Sequence, residues 1–243
     1  MNVTIWNEGI HEELYPKIKE HYPNCIHGTL AEIIGELPQV DNVHIATLEQ
    51  EGCGLPDEIL DKTDVLLWWG HMAHDRVPDE LVAKIHHRVL QGMGLMVLHS
   101  AHFSKIFIKL MGTSCCLSWK EDTYERLFCV KPSHPIAAGI PSHFELGKEE
   151  TYGEFFDVPD PDETIFLGWF DSGELFRSGC TWHRGYGKVF YFQPGHETNP
   201  TYNHEYIRKI IQNACIWLAP SNTIEYITSP YIEKTLEEIR KTK

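Results

Sequence analysis

The chain has 243 residues, 42% of them hydrophobic, which is enough for a large core and falls within the range of one α/β domain with insertions. Its 35 acidic residues against 21 basic ones leave a formal charge of -14, which repels phosphate backbones and anionic headgroups and argues against nucleic acid or a membrane surface as partner. The amino terminus lacks a basic flank before a long apolar run, and no segment approaches the ~20 apolar residues of a membrane span. Seven scattered cysteines (Cys25, Cys53, Cys115, Cys116, Cys129, Cys180, Cys215) form no CxxC pair. These features predict a soluble, unexported, cytoplasmic protein with reduced thiols. Neighbouring Cys115 and Cys116 read as a zinc or redox pair or, the favoured reading, as buried small hydrophobes.

In chain order, Asn2 to Trp6 predicts a first strand that ends in the polar group Asn7-Glu8-Gly9. His11 to His21 and Gly28 to Leu37 read as helical pieces separated by Pro23-Asn24, followed by a strand over Val43 to Leu48 and a helical turn over Pro56 to Asp61. A third strand, Asp64 to Trp69, runs into Gly70-His71-Met72-Ala73-His74-Asp75. Pro78-Asp79-Glu80 then carries the start signal of a helix bearing Leu81, Val82, Ile85 and Leu90. The fourth strand, Leu95 to Leu98, is an apolar run that stops abruptly at His99-Ser100-Ala101-His102 before a helix from about Phe103 to Met111. This alternation predicts an α/β fold with a mostly parallel central sheet, right-handed crossovers and helices on both faces.

Past residue 112 the pattern changes. Leu117 to Val130, Phe144 to Leu146, Thr164 to Phe170, Glu174 to Trp182 and Lys188 to Phe192 read as strands, several of them antiparallel. No linker divides the halves, so residues 1–243 are expected to form a single domain whose sheet the later strands extend. Glu205 to Leu218 reads as a helix that packs back. Ser229 to Lys243 reads as a charged final helix, solvent-facing or used in self-association.

Six of the fifteen histidines fall in three segments that each follow a predicted strand: His71 and His74, His99 and His102, His196 and His204. Strand ends of an open parallel sheet are where ligands sit, so one edge is expected to collect these with Asp75, Ser100 and Glu197. Imidazole titrates near neutrality and binds metals. The bland alternative is that single histidines hydrogen-bond loop carbonyls. The spacings His71-x-x-His74 and His99-x-x-His102 resemble metal-ligand pairs, and a divalent zinc or manganese ion on His99, His102 and His196 is one expectation. The other is acid and base work by the same residues, with Glu197 orienting His196. Aromatic residues beside carboxylates suit a sugar: Trp69 and Glu154 are candidates to hold it, with His71, His74 and Asp75 as the opposing wall. Phe103, Trp119, Tyr152, Trp169 and Trp182 lie near the same loops, while Trp68 reads as core. Arg177 and Arg184 are expected to pair with nearby acids.

Trp69-Gly70-His71-Met72-Ala73-His74-Asp75, Leu98-His99-Ser100-Ala101-His102-Phe103-Ser104-Lys105, Leu110-Met111-Gly112-Thr113-Ser114-Cys115 and Phe192-Gln193-Pro194-Gly195-His196-Glu197 resemble the trehalose-utilisation ThuA-like family over nearly the whole chain. The resemblance implies a flavodoxin-like, class I glutamine amidotransferase-like three-layer fold. It also implies a role in bacterial catabolism of trehalose or related keto-disaccharides, acting on a small-molecule sugar without a nucleotide cofactor. Amidotransferases of this class place a nucleophilic Cys on the turn after a central strand and a His-x-Glu pair late in the chain. Here Ser100 stands at the turn and His196-Glu197 lacks the intervening residue, which argues against glutamine hydrolysis and leaves a Ser100-based hydrolase as an alternative. A sugar-binding or regulatory module on the same fold is another. Strong acidity and the tail helix further suggest a homo-oligomer.

Overall fold

The computed structural model describes residues 1–225 and 227–241, the side chain of Asp122 aside. The elements in chain order are β1 (Asn2–Asn7), α1 (Ile10–Leu14), α2 (Ile18–His21), α3 (Cys25–Gly35), β2 (Asn42–Thr47), α4 (Asp57–Leu60), β3 (Val65–Trp69), α5 (Asp79–Gln91), β4 (Gly94–Leu98) and α6 (Lys105–Met111). They continue with β5 (Ser118–Cys129), β6 (His143–Gly153), β7 (Glu163–Phe170), β8 (Leu175–Arg184), β9 (Gly187–Phe192), α7 (Glu205–Leu218) and α8 (Leu236–Arg240). One nine-stranded sheet in the order β2-β1-β3-β4-β9-β8-β7-β5-β6 joins all the strands. β2, β1, β3, β4 and β9 are mutually parallel, and β8, β7, β5 and β6 extend the sheet antiparallel.

Side chains alternate across the parallel strands, so each face has its own core. Leu66, Trp68, Leu95, Val97 and Tyr191 pack under α5 and α6, while Ile5, Leu67, Trp69, Met96 and Phe190 pack under α3 and α7. Trp6 and Trp68, neighbours in register, stack at 3.8 Å and 9° on the first face. The result is the three-layer arrangement that the strand-helix alternation predicts.

Four segments differ from the sequence reading. The expected His11–His21 helix is two short helices, because Pro16 removes a backbone donor between them. α3 starts at Cys25, three residues before Gly28. β6 is eleven residues, not the three of Phe144 to Leu146, because Glu149 and Glu150 turn inward and hide the alternation. The expected Ser229–Lys243 helix is only the five residues of α8, set by a Thr235–Glu238 capping box, and Thr242 and Lys243 lie outside the described residues. Cys115 is buried as expected but Cys116 is exposed, and both are free thiols.

Candidate functional site

The strand order runs outward in opposite directions from β1 and β3, which opens a crevice at their carboxyl ends. In register, Asn7, Trp69, Leu98 and Phe192 are the last paired residues of β1, β3, β4 and β9. The segments that follow therefore leave the sheet side by side, and they carry His11, His71, His99, His196 and Glu197.

Buried carboxylates fix two of these segments. Glu8, 1% exposed, accepts from the backbone N–H of His71, Met72 and Ala73 at 2.9, 3.0 and 2.9 Å, which shapes the loop after β3. Glu149, from β6, accepts from the N–H of Gly195 at 2.9 Å and of His196 at 3.3 Å and from the hydroxyl of Thr201, which shapes the loop after β9. The third segment turns at His99 itself, whose φ of 52° lies in the left-handed region that a non-glycine residue rarely occupies. The strained turn residue is thus His99, not Ser100. Ser100 follows it and donates its hydroxyl to the carbonyl of Gly70 at 2.9 Å.

Four imidazoles converge there. Ring centroids of His71 and His99 lie 6.4 Å apart, of His99 and His196 5.4 Å, of His71 and His196 6.4 Å, and of His11 and His71 4.6 Å. The spread is far inside the ~15 Å reach allowed for one small ligand in a strand-end crevice. His99 Nδ1 donates to the Gln193 carbonyl at 2.9 Å, which turns Nε2 to Glu150 Oε2 at 3.1 Å. Burial opposes charge on this ring, but the Glu150 carboxylate outweighs it and raises His99 to about 9, while Glu150 itself is held below the usual carboxylate range by the same contact. His71 is pushed down to about 4, chiefly by burial. Glu197 lies 2.6 Å from His11 Nδ1, 3.6 Å from His196 Nε2 and 3.8 Å from His71 Nε2, and these imidazoles overcome its burial to hold its carboxyl well below the ordinary range. His196 Nδ1 meets the Thr198 hydroxyl at 2.6 Å.

A cleft of about 880 Å³ opens above this floor. Its rim carries Tyr15, Phe103 and Trp119, exposed at 52%, 43% and 63%. Among the described residues, four acids line it (Glu20, Glu121, Glu150, Glu197) against one lysine, Lys17. Ser100 and His102 reach the wall, but His102 bonds the Cys115 carbonyl through Nδ1 at 2.8 Å and burial pushes it down to about 3. Donor atoms of His99, Glu150 and His196 lie within 4.8 Å of one another. Among the described residues, Glu150 therefore takes the place expected of His102 in a metal-binding trio.

Several expected contributors lie elsewhere. Trp69 is wholly buried and donates from Nε1 to the Gly195 carbonyl at 3.3 Å, so its side chain is core and not sugar platform. His74 packs against Gly70 and Asp75 is exposed, both outside the cleft lining. Glu154 is bound by Arg177 at 2.8 Å, also away from the cleft; that pairing was expected, whereas Arg184 bonds backbone carbonyls of Leu110 and His183 instead of acids. His204 caps α7, its Nδ1 accepting from Tyr206 N–H. Sequence reasoning missed His11 and the central place of Glu150. The one available signal for Glu150 was an acid pair inside a stretch otherwise built as strand.

Among solved structures, the chain resembles a ThuA-like protein from Parabacteroides merdae (TM-score 0.66, 14% identity, covering 93% of this chain and 92% of that one). It also resembles a cytoplasmic protein from Salmonella typhimurium (0.64, 11% identity, 91% and 100%). A more distant match is PurLQS from Thermotoga maritima (0.52, 12% identity, 89% and 98%). At these identities the likeness is one of fold, the glutamine amidotransferase-like arrangement of a parallel core sheet between helices. No curated protein matches the chain. The ThuA family model, described as trehalose utilisation, matches residues 2–218. With its fold and nearly its whole length accounted for in this way, the chain belongs to the ThuA family.

Proposed function

We propose that the protein is a cytoplasmic enzyme of bacterial carbohydrate catabolism that transforms an unphosphorylated disaccharide, trehalose or a keto form of it. The observation that carries this reading is a cleft with an aromatic rim above a floor of paired imidazoles and carboxylates. Flat rings at the rim stack on sugar faces, and the floor offers both a proton acceptor and a positive charge. The excess of acids over Lys17 in the lining repels phosphate, which favours a neutral sugar.

For a keto-sugar, His196, held through Nδ1 by Thr198, takes the proton from the carbon beside the carbonyl, and the charge of His99, buried on Glu150 beneath the floor, favours the oxyanion that forms. The resulting enolate either expels the glycosidic oxygen, which takes the proton from His196 and leaves an α,β-unsaturated ketone, or is reprotonated by His196, giving cleavage or isomerisation. A zinc or manganese ion on His99, Glu150 and His196 is the other occupant proposed for this floor, where it would supply Lewis-acid charge. The proposed partners are a small-molecule sugar and further copies of the same chain. Incubating the purified protein with trehalose and 3-keto-trehalose, with and without zinc or manganese, tests the reading. Turnover of either sugar is expected; saturable binding without turnover under every condition would make this a binding module instead.

A further inference from the structure

A second group of donors on the cleft floor is not used by the proton transfers proposed above. His11, from α1, His71, from the loop after β3, and Glu197, from the loop after β9, offer one ligand atom each, all within 4.8 Å of one another. Glu197 is wholly buried, yet neither of its carboxylate oxygens has a hydrogen-bond partner among the described residues. His11 Nδ1 lies 2.6 Å from Glu197 Oε1 as a close ion-pair contact, and it too has no other hydrogen-bond partner among the described residues. A buried carboxylate is costly unless positive charge answers it, and a divalent ion bonded directly to Glu197 does so more fully than the imidazole contacts alone. Several donors that crowd together without bonding one another are the arrangement expected where their lone pairs serve a common ion.

We infer that His11, His71 and Glu197 hold a divalent cation of the zinc class at the floor of the cleft. Two imidazoles and one carboxylate are the donor set of catalytic zinc sites and of ferrous facial triads. Bonds of about 2.0–2.2 Å place tetrahedral ligands roughly 3.4 Å apart. The His71–Glu197 separation of 3.8 Å is near that value, and the 2.6 Å His11–Glu197 contact opens slightly to match it. The three donors come from separately fixed elements, His71 through Glu8 and Glu197 through the Glu149-held turn, so the site is formed before the ion arrives. His11 and His71 keep 14% and 24% of their side chains exposed, which leaves the remaining coordination position facing the cleft. Through Glu197, 3.6 Å from His196 Nε2, this ion adjoins the His99–Glu150–His196 floor.

Metal-stripped full-length protein titrated with Co²⁺, followed by visible absorption and by elemental analysis after dialysis, tests the inference without any sugar present, so its outcome is separate from that of the proposed reaction. The wild type is expected to develop ligand-field bands. Glu197→Gln and His71→Ala are expected to weaken cobalt binding at this position at least tenfold, while His99→Ala retains it. Glu197→Gln is nearly isosteric, and circular dichroism confirms that each variant is folded. No cobalt uptake by the wild type, or uptake that survives in both Glu197→Gln and His71→Ala but vanishes in His99→Ala, overturns the inference. If the other trio is also filled, two equivalents bind and the same variants lose one of them.

Discussion

The parallel half of the sheet and its antiparallel extension contribute to the cleft in opposite ways. β1, β3, β4 and β9 end at the cleft, and each supplies an imidazole within four residues of its last paired residue. The extension supplies carboxylates from within a strand: Glu149 and Glu150 lie in the middle of β6 and reach under the ends of β4 and β9. A strand end announces itself in sequence as an apolar run that stops. A mid-strand acid does not, because it interrupts the pattern that would identify its strand.

That contrast can be broken or sharpened experimentally. The largest effect is expected from removing the extension's contribution: Glu150→Gln should lower turnover of the keto-sugar by about 10²–10⁴-fold, the usual weight of a positioned acid-base group, with an unchanged circular dichroism spectrum. Replacing a rim aromatic comes next. Trp119→Ala should raise KM roughly fivefold and leave kcat nearly alone, since a stacked ring is worth on the order of 1 kcal/mol and acts equally on bound substrate and transition state.

A smaller effect concerns stability. Glu125 of β5 is fully buried, and desolvation, reinforced by the charge of Glu149, raises its carboxyl well above the ordinary value. The folded chain then holds a proton that the unfolded chain releases, so this residue's contribution to stability is present below the usual carboxylate range and is lost as pH rises toward the folded value. Glu125→Gln should flatten that decline and raise the urea midpoint at pH 8 relative to the wild type, while changing it little at pH 4. The smallest effect is predicted for His74→Ala and Asp75→Asn, which should alter kcat/KM less than about twofold, as expected of side chains outside the cleft. A large loss in either would return these residues to the site.

The residues themselves explain what the sequence made legible. Leu95 to Leu98 between Gly94 and His99 reads directly as a buried strand with a polar exit, and so do Asn2 to Trp6 and Asp64 to Trp69; the gathering of His71, His99 and His196 follows from those three signals and the β9 exit. Trp69 misleads because parity, not proximity to the loop, decides which way a strand's last side chain points, and it points into the core beneath α3 and α7. His11 is hidden in a segment that looks like ordinary helix until Pro16 cuts it to a single turn. Glu154 reads both as a ligand contact and as an acid within reach of Arg177, and only the fold, which sets Arg177 Nε 2.8 Å from it, decides between the two. Glu149 and Glu150 read as acids within a structured stretch beyond the short strand Phe144 to Leu146, and only the pairing of β6 with β5 shows that the strand runs on and encloses them.

The position of β9 also governs the order in which this molecule can be made. It is the fifth parallel strand, yet it joins β4 only after the four antiparallel strands have been synthesised, so β4 presents an unpaired, wholly apolar edge while the 88 residues from His99 to Tyr186 emerge. Such an edge is a template for pairing with another chain. A nascent chain or truncation ending before Gly187 lacks the strand that covers it, together with His196 and Glu197. Self-association of incomplete chains and absence of the cleft therefore arise together, from one missing strand.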